Sequence, residues 1–392
     1  MRKIIILFIT FVTVLSFAFT QDSGQDYIIR YRAAPTYSTQ LVILQEMAET
    51  RPSGTGDFYA QALERLVSEY PNIRDDTEKY AAGEQALILA TLLGREENSS
   101  EAVSALSRAA EFFDDSRVKS ESLISLGRIN AVDSIPLVIR MLNNANASTP
   151  SDHDRSGVEA VAIGAINALE RFQDASGYLP VFLASEGWYS NRIKEQAKRS
   201  LSLIAQDPTP FMLEVIRGSY PLELKLIALR TINTAEGVSN QSKGNTAVAA
   251  LAEGWRAPGV TEQARSDLAD LRLLALDMIS RFRTDDEAAY PLMERSYLRG
   301  FGQERYLAIS ALASQRSSES ARILSEFLTE LNAKARSEEQ TRDDEQLARA
   351  IIPALGHNGH PDGLAALRSV AFSGWGSSVV RLANAAIRQI GR

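Results

Sequence analysis

One kind of residue recurs along most of this chain at a spacing that few folds share. A large apolar residue, here called the anchor, ends a stretch with helical periodicity, and it returns nine times at intervals of 28 to 47 residues. The anchors are Leu93, Leu126, Leu169, Ile204, Ile232, Ile279, Leu312, Leu355 and Ile390. An interval of this length holds two helices and their connections, so the pattern predicts a continuous row of helix pairs.

The position four residues before the anchor strengthens this prediction. From Leu126 onward that position holds Ala or Ser in seven of eight units, and we call it the small-residue column. Its members are Ser122, Ala165, Ser200, Ala228, Ala275, Ala308 and Ala386, with Ile351 as the exception. A small side chain lets the backbone of a neighbouring helix approach, and the larger residue beside it fills the remaining space. We therefore expect the column to be buried, with a wider helix spacing at Ile351.

The residues after the anchors predict a turn and a second helix. Gly94, Gly127, Gly356 and Gly391 follow their anchors directly, which is typical of a left-handed helix cap. Seven residues after four anchors stands an acidic residue that can cap the next helix. These residues are Asp133, Asp286, Glu319 and Asp362. No alternating strand pattern competes with this reading, so the sequence predicts an all-α fold.

A glycine followed by an aromatic residue marks the joint between units. The pairs are Gly187-Trp188, Gly254-Trp255, Gly300-Phe301 and Gly374-Trp375. We expect the aromatic ring to fold back over the last turn of the second helix. The alternative is an aromatic platform for a ligand, because all three tryptophans of the chain lie at these joints.

The clearest unit, Arg349 to Arg368, resembles the HEAT-like repeats of the phycobilisome-lyase type. Leu355-Gly356 and Asp362-Gly363 stand at the usual places, and the resemblance covers residues 77–392. It implies a right-handed α-solenoid of about nine to ten helix pairs, a HEAT-like superhelix, with a binding or scaffolding role. It does not imply lyase activity, since the chain contains no cysteine.

The N-terminus predicts export. Residues 1–20 combine Arg2 and Lys3, an apolar run from Ile4 to Leu15 and small residues near Ala18, which is the layout of a secretory signal peptide. An uncleaved anchor is the alternative, but the apolar run is shorter than a bilayer requires. We expect a periplasmic or secreted protein, not inserted in the membrane after signal cleavage. Residues 21–35 would form a polar tail, and residues 36–392 the solenoid.

Candidate chemistry is sparse. His357 and His360 with Asp362 could in principle hold a metal, but glycine and proline around them favour a turn. Ser116 and Lys119 match a serine–lysine spacing without the other motifs of that enzyme class. We therefore predict no catalytic residues, no metal and no cofactor. A net charge of −7 argues against a nucleic-acid partner.

Arginine outnumbers lysine by 34 to 8, and three arginines fall 13 or 14 residues after an anchor. These are Arg140, Arg217 and Arg368, which we expect along one face of the second helices. One hypothesis makes them part of a ladder of ion pairs between neighbouring repeats. The other makes them a binding site for a carboxylate-rich partner, since arginine can bind a carboxylate through two parallel hydrogen bonds.

The functional prediction is a non-enzymatic, exported protein–protein interaction scaffold of the bacterial envelope. It would bind a protein partner, whose identity the sequence does not give, through a concave face or loops of the helical array. The alternative is a helical-toroid enzyme that acts on envelope glycans with a pair of carboxylates.

Overall fold

The structure, a computed structural model, describes residues 24–148, 151, 154–256 and 259–391. These residues form twenty α-helices and a few short 3₁₀ turns, without a strand. The predicted signal peptide at 1–20 lies outside the described residues. Among the residues described, no helix is both long enough and apolar enough to cross a membrane. The fold is all-α, as predicted, and the helices divide into two compact units at Ala205.

The first unit contains ten described helices. In chain order they are α1 (Gly24–Ala33), α2 (Tyr37–Thr50), α3 (Gly56–Glu69), α4 (Asp76–Leu93), α5 (Ser100–Phe112), α6 (Ser116–Arg128), α7 (Ile135–Ala147), α8 (Arg155–Phe172), α9 (Tyr178–Glu186) and α10 (Asn191–Ile204). The even-numbered helices from α2 to α10 pack side by side in one row. In the second row α3 packs on α5 and α7 packs on α9.

The second unit repeats this arrangement with ten more helices. They are α11 (Thr209–Arg217), α12 (Leu222–Thr234), α13 (Asn240–Gly254), α14 (Glu262–Phe282), α15 (Ala289–Arg299), α16 (Gln303–Gln315), α17 (Ser318–Arg336), α18 (Arg342–Asn358), α19 (Leu364–Ser369) and α20 (Ser377–Ile390). Each even-numbered helix packs on the next even-numbered one, and each odd-numbered helix on the next odd-numbered one.

All nine anchors lie in even-numbered helices, and the small-residue column is buried as predicted. Its seven small residues are between 0% and 3% exposed. Ile351 is also fully buried in α18. The column therefore faces the contact between neighbouring helices, where small side chains permit close packing.

The glycines after the anchors have a different role from the one predicted. Gly127 and Gly356 lie inside α6 and α18, and neither has a positive φ. A Cβ on Gly127 would lie 2.8 Å from Cα of Ala168 in the next even-numbered helix. A Cβ on Gly356 would lie 3.0 Å from Cα of Ala386. At Gly127 and Gly356 the glycine therefore permits two helix backbones to touch, whereas Gly94 and Gly391 are cap residues with a negative φ.

The left-handed turn falls four residues after the anchor. Five residues at this position have a positive φ, between 52° and 79°. They are Asn130, Gln173, Arg283, Arg316 and Gly359. Only one of the five is glycine, so the sequence does not mark the position.

The polar tail expected at residues 21–35 contains a helix. In α1 the side chains of Tyr27, Ile28 and Tyr31 are buried. The Tyr31 hydroxyl donates a hydrogen bond of 2.7 Å to Oε1 of Gln85 in α4. This burial explains the helix, because a tyrosine every fourth residue gives α1 one apolar face despite its polar composition.

The tightest helical hairpin is not the predicted one. Within each unit, each odd-numbered helix from α3 onward packs more extensively on the even-numbered helix that follows it than that even-numbered helix packs on the next odd-numbered one. The predicted unit ran from an anchor helix to the helix after it. The connections that run from an odd-numbered helix to the next even-numbered helix therefore join the best-packed pairs.

Candidate functional site

The connections from odd-numbered to even-numbered helices lie side by side in the second unit. Since neighbouring odd-numbered helices pack together and so do their even-numbered partners, these connections share one edge of the stack. We call this surface the loop edge. It comprises residues 217–222, 254–262 as far as described, 299–303, 336–342 and 368–377.

An arginine stands at or near the end of every odd-numbered helix on this edge. We call this set the arginine row: Arg217, Arg256, Arg299, Arg336 and Arg368. All five side chains are exposed. Of these, Arg256 alone forms an ion pair with a described residue, Glu253, at 3.1 Å. Glu253 is shared with the buried Lys225, so this group still carries a net positive charge.

Helix geometry alone does not account for the arginine row. A cation at a helix C-terminus interacts favourably with the helix dipole, by about 0.3–1 kcal/mol. That effect would apply equally in the first unit. There, three odd-numbered helices end instead at or next to Glu69, Glu111 and Glu186. The helix dipole by itself therefore does not explain why all five of these helices in the second unit end at or near an arginine.

Apolar side chains project from the same edge. Val260, Phe301 and Phe372 are 92%, 87% and 81% exposed, the highest values for large apolar residues in the described part of the chain. Each stands in a connection that also carries an arginine of the row. Exposed aromatic side chains grouped with arginine are typical of protein-binding surfaces.

The aromatic clasp exists, but two residues after the glycine. A Cβ on Gly187 would lie 3.4 Å from the ring of Tyr189, and one on Gly218 would lie 3.1 Å from the ring of Tyr220. The prediction was wrong for Phe301, which follows Gly300 directly and projects away from the protein.

Two tryptophans at these joints, Trp255 and Trp375, hold helices together. The guanidinium groups of Arg272 and Arg295 lie over the ring of Trp255, at 4.2 and 4.7 Å from its centre. Its Nε1 donates to Ser296 Oγ at 2.9 Å. Trp375 is 8% exposed, and its Nε1 donates to Asn332 at 2.7 Å. Since two guanidinium groups lie over Trp255 and most of Trp375 is buried, these two rings do not form the alternative ligand platform.

A buried ion pair supports the centre of the loop edge. Arg272 Nε lies 2.7 Å from Glu304 Oε1, and its Nη2 donates to Oε2 at 3.1 Å. The two side chains are 13% and 4% exposed. Arg272 also donates to the carbonyl oxygen of Gly254 at 3.0 Å. These bonds join two neighbouring connections of the edge and hold their backbones in place.

The three predicted partner-binding arginines occupy two settings. Arg140 in the first unit pairs with Glu111 on the preceding odd-numbered helix at 2.8 Å. Arg108 lies 3.9 Å from Glu64 in the same manner, which matches the ion-pair ladder hypothesis. Arg217 and Arg368 instead belong to the arginine row, and neither has an ion-pair partner among the described residues.

Sequence reasoning missed Arg256, Arg299 and Arg336. The odd-numbered helices of the second unit vary from 6 to 19 residues, so an offset counted forward from the anchor does not align their ends. Counting backward from the start of the next even-numbered helix places four of the five arginines within four to six residues of it. The spacing that identifies these arginines was therefore present in the sequence, but it is measured from the helix that follows them and not from the anchor that precedes them.

The histidines do not form a cluster of metal ligands. His360 Nδ1 lies 3.2 Å from Asp362, and His357 is exposed near the end of α18. Throughout the described ranges, no three His, Asp or Glu side chains are grouped so that they could hold an ion. His357 lines a shallow groove of about 390 Å³ with Ser280, Tyr306 and Ser310.

Comparisons with known proteins leave the family open. No family model matches the chain, and no curated protein matches it. Among solved structures, human deoxyhypusine hydroxylase in complex with glycerol aligns with 15% sequence identity and a TM-score of 0.27. The alignment covers 76% of this chain and 96% of that one. We attach no functional meaning to a similarity at that TM-score.

Proposed function

We propose that this protein is a non-enzymatic interaction scaffold, exported to the bacterial envelope, and that it binds a protein partner through the loop edge of its second unit. The observation that carries the proposal is the arginine row, five exposed arginines of which four lack an ion-pair partner among the described residues. The apolar residues Val260, Phe301 and Phe372 project beside them.

The chemistry of this surface fits a protein partner. A guanidinium group can bind a carboxylate through two parallel hydrogen bonds and is more weakly hydrated than an ammonium group, so its desolvation at an interface costs less. Arginine and aromatic residues are also enriched where protein interfaces derive most of their binding energy. The presence of both on one edge offers charge complementarity and apolar contact.

Buried contacts beneath the loop edge favour a surface whose backbone is already ordered before a partner binds. Arg272, Glu304 and Trp255 fix the backbones of two adjacent connections, so little loop ordering accompanies binding. The arginines on odd-numbered helices of the first unit differ from the arginine row, which is why we propose the second unit as the binding surface. In the first unit Arg140 and Arg108, which also lie on odd-numbered helices, are already paired with glutamates.

The proposed export depends on the sequence of residues 1–20. Fractionation of cells that produce the full chain tests it, with N-terminal sequencing of the product. We expect an envelope or extracellular protein that begins near residue 21. A cytoplasmic protein with Met1 retained would contradict this part of the proposal.

The binding proposal is tested by reversing charges on the row. In one variant Arg299 and Arg368 are replaced by Glu. A matched variant carries Arg230→Glu and Arg388→Glu, two exposed arginines toward the C-terminal ends of even-numbered helices, away from the loop edge. Partners from the envelope fraction are identified by cross-linking to the wild-type chain and then purified for titration.

We expect the row variant to lose affinity for the purified partner while the matched variant retains it. Equal affinities for both variants would contradict the proposed surface. Hydrolysis of envelope glycans by the purified chain, abolished by one carboxylate substitution, would contradict the non-enzymatic role.

A further inference from the structure

We propose that the segment recognised by the loop edge is an extended, polyproline-II-like peptide that carries a carboxylate at every third residue. This inference rests on the proposed function and specifies its partner. The observation behind it is that each odd-numbered helix of the second unit ends within two residues of one exposed arginine.

The spacing of packed helices sets the spacing of the arginines. Axes of packed helices lie about 8–10 Å apart. The odd-numbered helices α11, α13, α15, α17 and α19 are successive neighbours, and each brings one arginine to the edge. A ligand that uses the whole row must therefore offer a negative charge about every 9 Å along one face.

Polyproline-II geometry meets this requirement. Its rise is about 3.1 Å per residue with three residues per turn, so every third side chain returns to the same face after about 9 Å. An α-helix covers the same distance in about six or seven residues, and a seven-residue step drifts by about 20° around a straight helix. Over four steps that drift turns the last carboxylate well away from the arginines.

The apolar residues of the edge suit the remaining positions of such a peptide. Proline-rich segments in this conformation dock against aromatic side chains, since their shape is preformed and they lose little entropy on binding. Phe301 and Phe372 are exposed next to Arg299 and Arg368, so proline rings that flank each carboxylate would lie against them.

A uniformly anionic membrane fits the edge less well. The connection between α17 and α18 carries the exposed Glu338 and Glu339 beside Arg336. These carboxylates would face a sheet of negative headgroups and repel it. A peptide with separate carboxylates can place each one at an arginine, with neutral residues opposite the two glutamates.

Synthetic peptides test the inference on the full chain. The periodic peptide has five Pro-Pro-Glu repeats, and the block peptide has the same composition with the five glutamates contiguous. A third peptide is α-helical, with Glu at every seventh residue. Each is titrated by fluorescence anisotropy against the wild-type chain, the Arg299→Ala/Arg368→Ala variant and the Arg230→Ala/Arg388→Ala variant. Circular dichroism confirms that the variants are folded.

We expect the periodic peptide to bind about tenfold more tightly than the block peptide, and the loss of two row arginines to weaken it about tenfold. The Arg230→Ala/Arg388→Ala variant should bind it unchanged. Phe301→Ala should weaken it further, without altering the response to salt.

Three results would overturn the inference. They are equal affinity for the periodic and block peptides, tighter binding of the helical peptide, and row-dependent binding to vesicles of equal parts phosphatidylcholine and phosphatidylglycerol. If the inference fails while a purified envelope partner is still lost in the charge-reversal variant, the proposed function stands and only the partner's conformation is wrong. If that variant keeps its partner, the proposed function fails as well.

Discussion

At the fourth residue after an anchor, the fold imposes a positive backbone φ on residues that normally avoid it. A left-handed conformation costs a residue other than glycine about 1–2 kcal/mol. Gln173 and Arg316 adopt it with φ near 52° and exposed side chains. The connections that follow α8 and α16 require this turn, and the packing of the stack compensates for the cost.

Replacement of Gln173 or Arg316 by glycine should therefore stabilise the protein. We expect a gain of about 0.5–1 kcal/mol in the free energy of unfolding, after the greater flexibility of glycine in the unfolded chain is subtracted. Gly359→Ala should have the opposite effect, because its φ is +79°. Urea denaturation measures all three. A loss of stability in Gln173→Gly would show that the side chain matters more than the backbone.

Gly127 tests the packing role of the glycine after the anchor. In Gly127→Ala the new Cβ would lie 2.8 Å from Cα of Ala168, so α6 and α8 must separate. We expect a destabilisation of about 1–3 kcal/mol by urea denaturation. Gly376→Ala is the control, since nothing lies within 4 Å of a Cβ there. Equal stabilities of the two variants would refute the close approach.

These positions show what the sequence could and could not predict. The burial of Ala275 and Ala308 was predictable, because their small side chains and their spacing from the anchor can both be read within a single helix. The turn at Asn130, Gln173 and Arg316 was not, since none of these residues is glycine. Gly127 was noticed but misinterpreted, because a glycine that permits contact between helices looks like a glycine that caps one.

The helices are joined across the stack by a few buried polar contacts, among them the ion pair Arg272–Glu304, whose side chains are 13% and 4% exposed. A buried charge whose partner is removed is strongly destabilising. In Glu304→Gln the hydrogen bonds of Arg272 to Gly254 and its contact with Trp255 remain, so part of the charge is still compensated. We expect a loss of about 3 kcal/mol in unfolding free energy.

Asp277→Asn provides the comparison for this pair. Asp277 forms an exposed ion pair with Arg281 at 2.6 Å within α14. Exposed pairs contribute about 0–1 kcal/mol, so we expect little change. Guanidinium denaturation screens such surface charges, and urea is therefore the better denaturant for both variants. Similar losses in the two variants would mean that burial is not what gives Arg272–Glu304 its strength.

Buried tyrosines predict a loss of stability in alkaline solution. Burial raises the pKa of Tyr31, Tyr178 and Tyr297 to about 12. Because the folded state favours the neutral phenol, their contribution is complete below the unfolded pKa of 10. It is lost as the pH rises from 10 towards 12. Urea denaturation at intervals across this range should show a steady fall, and constant stability would contradict the burial of these hydroxyls.

The arrangement of charge distinguishes the two units of the molecule. In the first unit, Arg108 and Arg140 are paired with glutamates of the preceding odd-numbered helix, as one of the two sequence-based hypotheses expected. In the second unit, the five arginines of the row stand at or near helix ends, and three of their connections also carry an exposed apolar residue. The sequence predicted Arg217 and Arg368 from their spacing but not the row, because exposure and the absence of a partner are properties of the folded chain.

The location of the binding surface is the central claim, and hydrogen–deuterium exchange on the complex tests it most directly. The full chain is measured with and without the purified envelope partner, and peptides are compared across both units. We predict slower exchange in the connections at 217–222, 299–303 and 368–377, with little change along the even-numbered helices. Protection confined to the first unit, or to the groove near Ser280 and His357, would contradict the account.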